Sequence, residues 1–488
     1  MKSKNCIRFL LAAALLLSAV GCASSQTTDQ TTNDNPISDT SAVTEAPAVD
    51  PLDQLGDYDF GGASYTMYLR RDPNYDPDDF VAEQGTGDII NDAVYARNLK
   101  ISEQFNINFA YNYDETNTST YNTPGIVAIQ AGDHVNDIFA MHGAHLFYNA
   151  TRGMFLDWSI YMENNDLSQP WWDQDFRTKT AIGGKLFGMT GAISYGSIGG
   201  TFCIFFNKDI ATRYELEFPY QSVLDGTWTF EKFQTMSRAV TADLNGDGTI
   251  SADADQYGLY SSTWRFPISA FYMAGDSIIT LDEEGTPTLT AHNERTEEIM
   301  QKLKNYYSEP GALVTDQTDI DLFRMERALF IGSEMMSLIK YRDMEAEIGV
   351  VPYPKYDENT DRYYSLVDAG QNVFSIPTTA VNNDMTKISI ITEALAVEGY
   401  HSVLPIYYEK ALKTKYARDN ESEQMLEMIT ASRYFDYGYF DATINWDLSY
   451  LGRTMLNQKK DFASYYEGIR KGAEKNLEKV YQMYLDVE

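Results

Sequence analysis

The chain has 488 residues with 71 Asp and Glu against 38 Lys and Arg, a formal net charge of -33. Such a surface repels nucleic acid and anionic headgroups, which excludes those partners as primary targets, and it keeps a protein in solution. Of its three cysteines, Cys6 and Cys22 fall at the extreme N-terminus, leaving Cys203 alone in the rest of the chain. No intramolecular disulfide is expected there, so stability must come from a large core, which a chain of this length can build.

Lys2, Lys4 and Arg8 precede the apolar run FLLAAALLLSAV and then Gly21-Cys22. A charged start, an apolar stretch and small residues before a cleavage point describe a secretory signal over residues 1–21. The run is shorter than the ~20 apolar residues that a membrane-spanning helix needs. AVGC, ending at Cys22, resembles the bacterial lipoprotein box, with Ala19 standing where Leu is usual. That resemblance implies cleavage before Cys22 and a diacylglycerol on its sulfur; a plain secreted protein with an incidental cysteine is the alternative. Residues 23–50 are rich in Ser, Thr, Asp, Asn, Ala and Pro, with no aromatic residue and no Lys or Arg. They carry too little apolar surface to offset the entropy of ordering, so residues 22–57 are expected to be a lipidated cysteine and a disordered tether. Fully extended, that tether reaches on the order of 90 Å at ~3.3 Å per residue. Cleavage removes three positive charges, taking -33 to -36.

From Tyr58 the pattern alternates between strand and helix, as in an α/β protein. YTMYL (65–69) reads as a strand. DIINDAVYARNLKISEQFNI reads as an amphipathic helix with Ile90, Val94, Leu99 and Ile101 inward and Phe105 closing it. DIFAMHG (137–143) reads as a buried strand entering a turn, GKLFGMTG as a hairpin-like pair, and TFCIFFNKD as an apolar strand leading into a helix. TWTFEKFQTMSRAV is a helix capped by Thr227 or Thr229. Thr443 to Leu485 is strongly helical.

NDAVYARNLKISEQFNI, DIFAMHG, GKLFGMTG with FFNKD, GTWTFEKF, DQYGLY, FPISAFYMAGDSI, FRMERALFIGSEM and IGVVPYPKYD follow one another in that order. Together they resemble the extracellular solute-binding proteins of the sugar-binding, maltose-binding-protein-like family of ABC importers. The resemblance implies a two-lobed periplasmic-binding-protein-like α/β fold with several hinge crossings and a ligand cleft between the lobes. One lobe would hold 58–197 and 360–425, the other 198–358 and 426–488. It also implies a non-enzyme, a monomer, that captures a carbohydrate, an oligosaccharide in such a cleft, at the outer face of the membrane. Its partners would be the transmembrane permease subunits of an ABC transporter.

Sugar recognition needs flat apolar faces for pyranose C–H groups and polar groups for hydroxyls. In ATINWDLSYLGRTML, helical spacing puts Ile444, Leu448, Leu451 and Met455 on one side and Trp446, Tyr450 and Arg453 on the other. The resemblance puts a cleft aromatic near Trp446, and another near Trp264, beside which Arg265 would donate to hydroxyls. His142 in AMHGAH would face the cleft from the first lobe, and Gln371 and Asn372 sit at an expected crossing. Trp171 and Trp172 read as structural, and Trp228 as packing.

His134, His142 and His145 raise a zinc reading, but Gly143 between the last two argues for a turn rather than a ligating helix. DLNGDGTISADAD is a stronger metal signal. Asp243, Asn245, Asp247, Thr249 and Ser251 fall on ligand positions of a calcium loop, with Gly248 at its turn. Ala254 replaces the closing Glu, so Asp253 or Asp255 would have to serve, and a structural calcium is expected. No cofactor is expected for function. The chain has no HExxH, no phosphate-cradling glycine loop and no GxSxG elbow. A secreted polysaccharide hydrolase is the alternative from another class; carboxylate pairs are inevitable among so many acids and do not point to one.

Overall fold

The computed structural model describes residues 50–71, 79–114, 121–317, 319–341, 343–409 and 420–487. Cys22, the signal and most of the tether lie outside these residues. The compact unit begins at Asp50, before the expected start at Tyr58. The Asp50 carboxylate caps the short turn Pro51–Leu55 and pairs with Lys100 at 2.7 Å, and the fully buried Leu52 docks this stretch on the core.

Thirteen strands are assigned among the described residues: β1 Ala63–Arg70, β2 Ile107–Asp114, β3 Ile138–His142, β4 Phe202–Asn207, β5 Tyr257–Ser261, β6 Ile279–Leu281, β7 Pro287–Leu289, β8 Ala312–Val314, β9 Ala328–Glu334, β10 Ile348–Val351, β11 Ser365–Leu366, β12 Asn372–Ser375 and β13 Arg433–Tyr434. They build two mixed sheets and two small pairs. The first sheet has the order β12-β3-β1-β2, with β1 parallel to β2 and β3, and β12 antiparallel to β3. The second has the order β10-β4-β9-β5-β8, with β5 parallel to β8 and β9 and the β4 pairings antiparallel. FCIFFN in β4 and ALFIGSE in β9 are buried at every position, the pattern of strands covered on both faces.

Between the sheets, segments distant in sequence lie side by side. Thr201 is bridged to Val367, Asp368 N–H donates to Gly200 O at 2.9 Å, and β11 pairs in parallel with β13. These are the stretches where the chain leaves the first sheet for the second and returns.

The helix Ile89–Phe105 begins where the Asp88 carboxylate accepts from Ile90 and Asn91 N–H and ends at Asn106 in a left-handed conformation. Its inward face is Val94, Arg97, Asn98, Ile101 and Phe105; Leu99, expected inward, is 43% exposed. Arg97 takes the inward place because its guanidinium finds fixed acceptors, Ile193 O at 2.6 Å and Phe80 O at 2.7 Å. Thr229, not Thr227, caps the helix Phe230–Val240. GKLFGMTG forms isolated bridges rather than a hairpin, because Met189 pairs with Phe374 of β12 instead of its own neighbour.

The C-terminal segment is not one long helix. It runs as Tyr437–Phe440, Trp446–Ser449, Leu451–Leu456 and Phe462–Asp486, with Tyr450 out of helical conformation at the second break. Leu451–Leu456 packs on the helix Phe266–Ala270 of the second sheet. At that contact a Cβ on Gly452 would lie 1.8 Å from the Pro267 carbonyl oxygen, so only glycine permits the approach.

Candidate functional site

Where β5 ends, the chain turns through Ser262, Thr263, Trp264 and Arg265 into the helix Phe266–Ala270. Asp316, beyond β8, holds this turn: its carboxylate accepts from Ser262 Oγ at 3.0 Å, Thr263 N at 2.9 Å and Thr263 Oγ1 at 2.5 Å. Burial alone would raise its pKa, yet these donors and Arg453 leave it below the ordinary carboxylate value.

The Gly452 contact brings Trp446, Tyr450 and Arg453 against the same turn. Trp264 and Trp446 meet edge to face at 6.2 Å and 79°, and Tyr450 meets Trp264 at 5.1 Å and 77°. The Arg453 guanidinium lies 3.9 Å over the Trp264 ring and donates to Thr263 Oγ1 at 2.9 Å. Trp264 is 38% exposed and Trp446 49%, whereas Tyr450 is buried between them and Tyr439. Beneath, Arg265 Nε donates to Glu334 Oε2 at 3.0 Å, and Ser333 and Ser337 hydroxyls donate to the same oxygen. Glu334 is buried, which works against its charge, but Arg265 keeps its pKa below the ordinary value.

From this platform the contacts lead to the first sheet. Tyr439 OH donates to Asp368 Oδ1 at 2.9 Å, and Asp368 caps Gly370 N–H just ahead of β12. Across from β12, His142 closes β3 and caps the helix Gly143–Ala150, its Nδ1 accepting from Ala144 N–H at 3.1 Å. The expected turn at Gly143 is thus a helix start; a Cβ there would meet the Phe440 ring at 2.6 Å. Planar groups follow one another outward: His142 stacks on His145 at 5.0 Å, Tyr121 lies tilted against His145 at 4.8 Å and against Tyr148 at 4.4 Å, and Arg152 lies over Tyr148 at 3.5 Å. Burial, Arg70 and His145 hold His142 well below the usual imidazole pKa, so it is neutral and can both donate and accept. Burial, and after it Tyr121, raise the pKa of Tyr450.

The structure therefore brings together Trp264, Arg265, Trp446, Tyr450 and Arg453, and sets His142 in a separate cluster with His145 and Tyr121 at the end of β3. It does not present Gln371 and Asn372 to solvent. Gln371 is fully buried, and Asn372 Oδ1 accepts from Arg70 Nε at 2.9 Å, so both hold the crossing. Tyr121, Tyr148, Asp316 and Tyr439 were not singled out in the sequence. Tyr121 carried a signal, being an aromatic in the polar run TNTSTYNTP with no apolar neighbours to join in a core. Trp171 and Trp172 both donate their indole N–H to Glu393, and Trp228 is fully buried with its N–H on Pro352 O at 3.0 Å.

The acidic loop closes on itself. Asp243 accepts from Gly246 and Gly248 N–H, Asn245 Oδ1 from Asp247 N–H, Asp247 from Thr249 N–H and Oγ1, and Asp255 from Leu244 and Ser251 N–H. Among the described residues no group of three or more His, Cys, Asp or Glu is gathered closely enough to hold a metal ion. The side-chain oxygens of the loop accept from its own amides.

No family model and no curated protein matches the sequence. Solved structures do. The cyclic α-maltosyl-1,6-maltose binding protein from Arthrobacter globiformis superposes with a TM-score of 0.58 at 13% identity, covering 86% of this chain and 99% of that one. The maltose/maltodextrin-binding domain from Bdellovibrio bacteriovorus, bound to maltotriose, gives 0.54 at 14% identity over 85% of this chain and 100% of that one. An ABC substrate-binding protein from Listeria monocytogenes in complex with cycloalternan gives 0.54 at 13% identity over 86% and 98%. The chain has the two-lobed solute-binding-protein fold. Within that fold the indole platform stands at the end of a second-sheet strand and the histidine–tyrosine stack at the end of a first-sheet strand. Among the described residues no helix is long and apolar enough to cross a membrane.

Proposed function

We propose that this chain is an exported solute-binding protein that captures a carbohydrate, an oligosaccharide, and delivers it to the transmembrane permease subunits of an ABC transporter. The observation that carries this reading is the exposure of Trp264 and Trp446, 38% and 49%, in a protein that buries Trp158, Trp172 and Trp228 to 1% or less. Two exposed indoles held rigidly by Arg453, Asp316 and Tyr450 offer apolar faces to pyranose rings at little entropic cost. Arg265, Arg453 and neutral His142 supply donors for hydroxyls around them.

The fold supports the same reading, since similar structures hold maltotriose and cycloalternan. In this reading 58–197 with 360–425, and 198–358 with 426–488, act as the two lobes that close on the sugar, and the closed form is the one a permease recognises. Asp316 and Glu334, beside the Trp264 turn, are both held below ordinary pKa values, whereas a glycosidase acid needs a raised one. The anchor in this proposal is a diacylglycerol on Cys22, because two chains on one cysteine hold a protein firmly. Cys22→Ala should move the protein from the membrane fraction to the medium; retention in the membrane fraction would remove the anchor from the proposal.

A thermal-shift screen of the mature protein against mono- and oligosaccharides, followed by calorimetry, tests the function. We expect an oligosaccharide series to raise Tm and to be recovered intact. If no glycan raises Tm, or if glycans are cleaved, the proposal fails.

A further inference from the structure

We infer that a cavity walled by two of the crossings is a second ligand site, for a small neutral aromatic molecule of the phenol class, and that its occupancy is coupled to closure of the lobes. The cavity measures about 430 Å³, within the ~300–1,000 Å³ of small-molecule pockets. None of its lining residues belongs to the indole platform or to the cluster around His142. Ser197 and Ile198 bring in the stretch that leads to β4, and Arg433 brings in β13. Arg433 Nη2 donates to Ser197 O at 2.8 Å and so ties the two crossings together at the cavity.

The walls select an aromatic body. Trp171 and Tyr400, whose rings meet edge to face at 6.5 Å, join Leu404 and Tyr408 in lining it with apolar surface. Tyr400 is 36% exposed, so this wall is open to a molecule from solvent. The charges select a neutral one. Arg433 Nη1 lies 2.6 Å from Asp173 Oδ2, and Glu393 accepts the indole N–H groups of Trp171 and Trp172. A charged ligand would give up its water and find no counter-charge left to pair with. One donor is left over. Arg433 Nε is buried and has no hydrogen-bond acceptor among the described residues, a costly condition that a ligand oxygen relieves. The crossings must change conformation when the lobes close, so the cavity they wall differs in shape between the open and closed forms. Aromatic and sugar then change each other's affinity by the same factor. The coupling rests on the carbohydrate reading; the site does not.

The test uses p-cresol and the anionic p-hydroxybenzoate, titrated without sugar into the mature protein and followed by ligand-observed NMR. For p-cresol we expect a Kd of about 1 mM or tighter, in keeping with so small a ligand. p-Hydroxybenzoate should bind at least about tenfold more weakly. Tyr400→Ala, which removes the exposed wall, should weaken p-cresol several-fold, and Thr430→Tyr, which fills the cavity, should abolish its binding. Trp446→Ala should leave it unchanged, because the indole platform lies elsewhere. Absence of p-cresol binding overturns the site. So does full p-cresol affinity in both cavity variants, each with wild-type circular dichroism, or its loss in Trp446→Ala. Equal affinity for p-hydroxybenzoate overturns the neutral class. Saturation with the sugar found in the screen should then shift the p-cresol Kd by about threefold or more. An unchanged Kd overturns the coupling, whereas a protein that binds p-cresol and no sugar keeps this site and loses the carbohydrate reading.

Discussion

Replacing Trp228 and Trp446 separately by alanine removes one kind of side chain from two opposite environments. Trp228 is fully buried, its ring centroid 6.1 Å from those of Phe233 and Phe330, and its N–H donates to Pro352 O. Emptying that site costs about 3–5 kcal/mol for the lost ring and cavity. The stranded Pro352 carbonyl adds about 1 kcal/mol or more. The sum approaches a large part of a typical folding free energy of ~5–15 kcal/mol. Trp446 is half exposed and touches Tyr450 at 4.5 Å and Trp264 at 6.2 Å, so its loss costs folding about 1 kcal/mol. In binding the order reverses. A ring stacked on Trp446 loses about 1–2 kcal/mol, roughly tenfold in Kd, whereas Trp228 lies away from the platform. Urea melts and calorimetry with the sugar found in the screen give both quantities for both variants. Wild-type affinity in Trp446→Ala, or equal stability of the two variants, would refute the assignment of one indole to the ligand and the other to the core.

Gly452→Val should force Leu451–Leu456 off Pro267 by more than ~1 Å to reach ordinary contact distance, at a cost of about 1–3 kcal/mol. It should also weaken sugar binding at least as much as Trp446→Ala, and full affinity would show that the platform does not depend on this contact. Burial raises Asp79 to a pKa of about 7 despite Ser194, Arg70 and Arg97. Between about pH 4 and 7 the folded state then holds a proton that the unfolded state has lost, so this group's contribution to stability falls as pH rises, by up to about 4 kcal/mol. Asp79→Asn should remove that slope, and parallel stability–pH curves for variant and wild type would contradict it. For the loop 243–255, calcium held by Asp243, Asn245 and Asp247 should raise Tm in millimolar calcium over that in EDTA, and equal Tm in the two would leave the loop a plain turn. A calcium-dependent rise abolished by Asp247→Ala would establish the ion that the sequence motif suggests.

Local signals made much of the architecture legible. Runs such as FCIFFN and IFAMH are strands because apolar residues at every position suit a sheet covered on both faces. Thr229 caps a helix because its hydroxyl accepts an N–H that has no partner within the helix. The stripe of Ile444, Leu448, Leu451 and Met455 is buried and Trp446 is not, even though the segment breaks at Tyr450. Periodicity puts Trp446 outward correctly but also Tyr450, which is buried against Trp264, Trp446 and Tyr439, because it does not say what an outward residue meets. Only the tertiary structure joins Trp446 to Trp264, through a backbone approach that Gly452 alone permits. It likewise brings Tyr121 against His145, buries Arg97 in place of Leu99, and turns Gln371 inward. Each of these depends on partners far away in the chain. Helices, strands and caps form from neighbours a few residues apart, so a sequence can display them. A binding platform is made of side chains brought together by packing, and their meeting is decided by the shapes of the elements that carry them.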